Sequence, residues 1–289
     1  MALLLCSKGH WRREAEFTAA PKFVALDHPD PPKRFPIEFE RKSFYSPGLA
    51  VCAGASLGNA EVLKHVLHPI HPDGWKFVAI FVAVTLGLFF LWEPLGWVGV
   101  VASAWCVHFF RDPPRVTPQR AGLVVSPADG LVVSVGSSFP PIELEMGMRP
   151  MTKIGIFLNV FDVHINRAPI GGTVERTRYH KGQFVNASFD KASELNERMA
   201  IRLTTGDGAD IAVVQIAGLV ARRIVCQVSA GQRLLTGERF GLIRFGSRTD
   251  LYVPEGWSVQ VMVGQRVIGG ETIIADAQSA ELPRVGVIR

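Results

Sequence analysis

The sequence predicts a β-rich α+β globular domain preceded by an apolar helical hairpin suited to membrane attachment. Three observations carry this reading: a nearly unbroken apolar block between Lys76 and Arg111, short β-branched runs punctuated by glycine after Arg120, and no long helical pattern alternating with those runs. The last argues against a parallel α/β sheet. With 289 residues, 48% hydrophobic and 20% charged, the chain can bury a sizeable core as one large domain or two small ones.

Residues 1–60 mix charges with Pro-rich text such as HPDPPKRFP and read as a poorly ordered basic leader, compatible with a misassigned start; the helix-like run NAEVLKHVLHPI at 59–70 is a more natural beginning. The opening MALLLCSKGH has no basic region before its short apolar run, which is too short for a signal-peptide core. Residues 61–120 form the expected membrane-associated helical region, with its hairpin at 77–110. The two arms, Phe77 to Trp92 and Leu95 to Phe110, are separated by Glu93 and Pro94. Each arm would be about 24 Å long, against a hydrocarbon core of about 30 Å. Shallow insertion, thinned spanning and a buried hairpin in a soluble protein all fit that length. Lys76 lies before the first arm and Arg111, Arg115 and Arg120 follow the second, so both flanks are basic and fall on one side, which the positive-inside rule makes cytoplasmic. Glu93 at the tip belongs near a headgroup region or must be neutralised.

The β-rich domain is expected over 121–289. Its strand signals are LVVSV at 131–135, KIGIFLNV at 153–160, GTVERTRY at 172–179, MAIRLTT at 199–205 and DIAVVQIA at 210–217, followed by RRIVCQV, FGLIRF, DLYV, SVQVMV, QRVIGG and ETIIA. FVNASFDKASELNERMA at 184–200 reads as a long loop or short helix between strands.

A net charge of +5 favours an anionic partner. Nucleic acid is disfavoured because zinc-finger spacing, an aromatic RNA-binding signature and a long basic helix are all missing, so an acidic membrane is preferred. Cys6, Cys52, Cys106 and Cys226 are scattered, form no C-x-x-C pair and read as free thiols in a reducing compartment. No metal is expected.

Three places could carry chemistry. SPADG holds Asp129 in text that a tight turn also requires. In NVFDVHINRAP, His164 lies two after Asp162, a spacing that in a strand puts both side chains on one face and could orient an imidazole. FGSRTD places Gly246 and Ser247 after a predicted strand, where glycine also suits a turn; the context is not the G-x-S-x-G of a nucleophile elbow. None is compelling in isolation, and taken alone Asp129 and His164 read as structural before catalytic.

Taken in order, SPADG, FLNVFDVHINRAPIGG, YHKGQFVNASFDKASELNER and GLIRFGSRTDLYVP resemble phosphatidylserine decarboxylases of the shorter bacterial and archaeal type, over about Glu61 to Ile274 and including the WEPLGW tip. The resemblance implies self-cleavage at Gly246-Ser247 into chains 1–246 and 247–289 that remain associated. It implies a pyruvoyl cofactor made from Ser247, with no metal and no pyridoxal phosphate, that forms a Schiff base with phosphatidylserine and releases carbon dioxide, giving phosphatidylethanolamine. Asp129 and His164 are implied as partners of Ser247. A homo-oligomer is compatible with the resemblance, and the cytoplasmic face of the cell membrane is the expected location. Many family members read L-G-S-T where this chain has F-G-S-R, which puts the effect of Arg248 on processing in question. A membrane-anchored serine hydrolase using Ser247, His164 and Asp129, or a noncatalytic membrane β-scaffold, are the competing readings.

Overall fold

The computed structural model describes residues 68–184, 195–218, 223–244 and 247–287. The leader at 1–60, nearly all of the run at 59–70, the middle of the loop at 184–200, Cys6, Cys52 and Gly246 lie outside the described residues.

The apolar block forms two helices, Trp75–Leu91 and Glu93–Phe109, joined through Trp92. Trp92 is extended and Pro94 stands in the first turn of the second helix, where its missing N–H costs nothing. Glu93 occupies that same turn, so its charge lies against the positive end of the helix dipole. Small residues let the helices close on each other: a Cβ at Gly99 would sit 2.8 Å from Thr85 Oγ1. Thr85 Oγ1 donates to the Phe81 carbonyl at 2.7 Å and accepts from Ser103 Oγ at 2.9 Å, which satisfies its hydroxyl inside an apolar hairpin. The outer faces remain bare. Phe90 is 93% exposed, Val101 70% and Trp92 61%, far more large apolar surface than a water-facing helix pair carries. The stretch Pro72–Leu91 has 20 residues and a mean hydropathy of 2.1, enough by length and composition to cross a membrane.

At its foot the hairpin packs Phe77, Phe81, Trp105, Cys106, Phe109 and Phe110 together, with Phe77 and Phe110 stacked at 5.3 Å. The basic residues after the second helix tie this foot to the β-rich domain. Arg111 donates to the carbonyls of His108 and Phe161, both at 2.7 Å. Arg115 pairs with Asp129 at 2.6 Å, and Arg120 pairs with Asp276. Asp112 is buried and accepts from Arg239 at 2.8 Å and from Arg167 at 3.5 Å.

Fourteen strands follow among the described residues. They are β1 Leu123–Val125, β2 Gly130–Ser138, β3 Met151–Leu158, β4 Ile165–Arg167, β5 Gly172–His180, β6 Arg198–Thr204 and β7 Asp210–Ala217, then β8 Ile224–Cys226, β9 Arg233–Leu234, β10 Arg239–Ile243, β11 Ser247–Pro254, β12 Ser258–Val259, β13 Arg266–Val267 and β14 Ile273–Asp276. The main sheet has eight strands in the order β13-β2-β3-β11-β7-β6-β5-β9, and every pair in it is antiparallel. Two three-stranded sheets, β1-β14-β12 and β4-β10-β8, complete the domain.

Strand β11 lies in the middle, paired from Ser247↔Leu158 to Pro254↔Met151 with β3 and from Ser247↔Ala217 to Tyr252↔Ala212 with β7. Its alternation sorts the side chains. Leu251 and Val253 join Ile154, Ile156, Leu158, Ile211 and Val213 in the main core, whereas Tyr252 joins Met151, Ala212, Val214 and Ile216 in a smaller core on the other face. The run expected only from Asp250 thus begins at Ser247, and KIGIFLNV stops at Leu158 because Asn159 and Asp162 turn the chain.

Ile156 is fully buried between Val132 and Thr249. Ile156→Ala should therefore destabilise the domain by about 2–5 kcal/mol, lowering the melting temperature by about 5–15 °C in detergent. A shift of a degree or less would contradict this packing.

Candidate active site

Asp129, His164 and Ser247 come from three different connections that the sheet brings to one end. Asp129 ends the turn between β1 and β2, His164 ends the segment after β3, and Ser247 opens β11. The row Leu131–Phe157–Arg248 runs across β2, β3 and β11, so Asp129 and Ser247 stand just beyond it on strands two apart. Glycine at position 130 is required there because a Cβ would lie 2.2 Å from the Phe157 carbonyl oxygen. His164 is drawn in by its own carbonyl, which accepts from Ile243 N–H at 3.2 Å, fastening it to the strand that leads towards residue 247.

Ser247 is completely buried, and its Oγ has no hydrogen-bond partner among the described residues. A buried hydroxyl left in this state is held at a free-energy penalty of about 1–3 kcal/mol, which is a reason to look for chemistry there. On the same face of β11, Thr249 Oγ1 accepts from Asn166 Nδ2 at 3.1 Å, and Asn166 Oδ1 accepts from Gln215 Nε2 at 2.8 Å. All three are fully buried. This amide ladder forms a polar floor beside Ser247 in a sheet whose neighbours are aliphatic. The sequence offered one signal for it, the polar residues interrupting the apolar runs HINRAP and AVVQIA.

His164 is 2% exposed, and its ring lies 4.3 Å from that of Phe109, the last residue of the second helix. Nδ1 is 2.9 Å from the Asp162 carbonyl oxygen, so in the neutral ring Nδ1 carries the proton and Nε2 is the basic nitrogen. Burial lowers its pKa to about 4; the hydrogen bond to Asp162 opposes this and Arg111 reinforces it. The imidazole is thus oriented by the backbone of Asp162 rather than by its carboxylate, and the segment is a turn rather than the strand that would place both side chains on one face. The Asp162 carboxylate accepts from Asn159 N–H at 2.9 Å and pairs with Arg266.

Asp129 uses one oxygen for Arg115 and the other for Gly269 N–H at 2.7 Å. Burial raises its pKa, while Arg115, the Gly269 bond and Arg111 hold it down. Arg111 also senses Asp162, so one cation lies within electrostatic reach of His164, Asp129 and Asp162. Asp129 lies in electrostatic reach of Arg111, and the group bonded to His164 Nδ1 is the Asp162 carbonyl.

Arg248, one residue on, points to the opposite face of the sheet. It is fully buried, donating from Nε to Asp250 at 2.5 Å and from Nη2 to Ser134 Oγ at 2.8 Å. Among the described residues no group of three or more His, Cys, Asp or Glu is placed to hold a metal ion.

The neutral imidazole has a measurable consequence. An unfolded histidine takes up a proton near pH 6.5, whereas folded His164 does so only at about 4. The unfolded state therefore binds more protons between these values, and stability that is full above pH 6.5 is lost as pH falls towards 4, by an amount on the order of 3 kcal/mol. His71, also lowered by burial, adds in the same direction. His164→Gln should flatten the fall in melting temperature between pH 7 and 4.5; an unchanged slope would exclude a buried neutral ring.

The family model described as phosphatidylserine decarboxylase matches residues 102–275. Proteins named phosphatidylserine decarboxylase proenzyme are similar over most of the chain. That of Cereibacter sphaeroides is 57% identical over 79% of this chain and 99% of its own length. That of Paramagnetospirillum magneticum is 53% identical over 79% and 95%, and that of Ruegeria pomeroyi is 57% identical over 73% and 97%. The likeness takes in the β-rich domain with Asp129, His164 and Ser247 at one end of its sheet, and the chain belongs to the phosphatidylserine decarboxylase family.

Proposed function

We propose that this chain is a proenzyme that cuts itself between Gly246 and Ser247 and then decarboxylates phosphatidylserine to phosphatidylethanolamine and carbon dioxide. The observation that carries this is the fully buried Ser247, with its Oγ unpartnered among the described residues, at the first position of a central strand. That hydroxyl fits the precursor of a pyruvoyl group better than the nucleophile of a hydrolase. In the uncut chain the adjoining peptide bond is already beside the hydroxyl, so the first carbonyl within its reach is the chain's own.

Cleavage begins with Ser247 Oγ adding to the Gly246 carbonyl carbon. His164, basic at Nε2, is assigned the hydroxyl proton, which it returns to the departing nitrogen as the amide becomes an ester. Arg111 opposes the imidazolium, and Asp129 and Asp162, which lie in electrostatic reach of Arg111, are assigned the role of offsetting that cation. Loss of the ester by β-elimination and hydrolysis of the resulting dehydroalanine release ammonia and leave the pyruvoyl group at residue 247. That group supplies a ketone carbonyl that takes up the substrate amine and accepts the electron pair freed with carbon dioxide. The chain's own contribution is to hold residue 247 between β3 and β7, so that the piece from 247 to 289 stays within the sheet after the cut. The Phe109 ring on His164 and the surrounding core keep bulk water from the imidazole.

The bare hairpin supports attachment to the membrane that holds the substrate, and the basic flanks, bonded into the β-rich domain, support a cytoplasmic location for that domain. The organisation into leader, helical region and self-cleaved catalytic domain belongs to the same proposal.

On a denaturing gel with mass analysis, the protein should give two fragments divided after residue 246, the smaller one blocked at its N-terminus and reactive with carbonyl reagents. Ser247→Ala should give one uncut chain and no carbon dioxide from phosphatidylserine. An uncut wild-type chain with full activity would overturn the proposal. Replacing residues 82–104 by a short Gly-Ser linker keeps the hairpin foot and should release a processed protein from membranes; continued membrane residence would place the attachment elsewhere.

A further inference from the structure

Arg244 follows β10 and stands three residues before Ser247, its N–H donating to the Arg223 carbonyl at 3.3 Å. The residue is 8% exposed, yet among the described residues the Nε has no hydrogen-bond partner and no carboxylate closes an ion pair on the guanidinium. The guanidinium carbon lies 5.0 Å from the centroid of the Phe77 ring, at the foot of the hairpin, where Phe77 is in turn stacked on Phe110. Asp73 is within electrostatic range, but Arg223 adds a second positive charge, and burial lowers the pKa of nearby His71. A guanidinium held over an aromatic face is attracted to the ring without spending its N–H groups on it. A desolvated cation whose Nε is unspent among the described residues is a site prepared for an anion.

We infer that Arg244 binds the phosphodiester of the lipid substrate and so sets the headgroup beside residue 247. This rests on the function proposed above and adds the group that recognises the substrate's permanent charge. The substrate carries two anionic groups, and the reaction decides between them. The carboxylate disappears as neutral carbon dioxide, so an ion pair to it would be stronger in the ground state than in the transition state and would oppose catalysis. The phosphodiester keeps its charge throughout, and a fork of N–H donors on two of its oxygens fixes position without that penalty. The location fits as well, because the hairpin foot is where an anchored enzyme meets the headgroup layer.

The test uses wild-type, Arg244→Gln and Arg244→Lys proteins in neutral detergent micelles. Two soluble probes compete with phosphatidylserine: glycerophosphoethanolamine, which has the phosphodiester and amine but no carboxylate, and L-serine, which has the carboxylate and amine but no phosphodiester. Arg244→Gln should raise KM for phosphatidylserine and the inhibition constant of glycerophosphoethanolamine at least about tenfold, with the L-serine constant changed less than about twofold; lysine should recover part of the loss. An unchanged glycerophosphoethanolamine constant overturns the inference. So does a parallel loss for both probes, which marks a structural role, or a loss for L-serine alone, which assigns the arginine to the carboxylate. If Arg244→Gln is not processed, glycerophosphoethanolamine binding is compared calorimetrically between Ser247→Ala and Ser247→Ala/Arg244→Gln, neither of which needs processing, with the same tenfold criterion. A wild-type protein that is neither cut nor active would sink the proposed function, while the calorimetric pair still reports on Arg244.

Discussion

The pairing of β11 on both sides is the constraint from which the rest of the site follows. A central antiparallel strand has its register fixed twice, and a slip of one residue would exchange every inward side chain for its outward neighbour. That fixes Ser247 against Leu158 and Ala217 on the main-core face, with Thr249 next along, and commits Arg248 to the other face. The amide ladder of Asn166 and Gln215 then meets Thr249 because β7 and β4 approach the same face. His164 reaches the site because the chain leaving β3 must turn back to join β10.

A second set of forces joins the hairpin to this site. Arg111, Asp112, Arg115 and Arg120 follow the second helix within a few residues, and each is bonded to a different part of the β-rich domain. Pairs as buried as Asp112 with Arg167 add little net stability over an apolar core, but they specify one arrangement because a misplaced partner strands a charge. Burial holds Arg167 down to about 10 even so, with Arg239 contributing and Asp112 opposing. The aromatic foot then fills the space between, which is how Phe109 comes to lie on His164 and Phe77 on Arg244.

Much of the fold was legible because it is written in periodicity. DIAVVQIA matched its strand end to end, and the apolar block gave its two helices, displaced by two residues at Trp75 because a 3-10 turn at Pro72–Gly74 starts the helix early. Strands such as Leu123–Val125, Ile165–Arg167 and Arg233–Leu234 are too short for any period to register. At the site, residue types were readable but not their partners. Asp162 was visible as a carboxylate two before His164, yet it is its carbonyl that holds the ring, a choice made by backbone turning. The place of Arg248 follows from the two-residue period once the strand is begun at Ser247. Arg244 had one clue, a lone cation in the apolar text GLIRF, and only packing shows that its Nε is left open among the described residues.

The position of β11 also bears on how durable a cut chain would be. A break before residue 247 falls inside the fold, at the edge of its most heavily bonded strand, rather than in a linker between modules. The two pieces would hold together as one cooperative unit, but they share a core that only the continuous chain had the chance to assemble at intramolecular concentration. Separation by heat or denaturant would turn refolding into a bimolecular search. Such an enzyme has its endurance governed by the rate at which a central strand escapes its sheet, a kinetic quantity, and each molecule can be made only once.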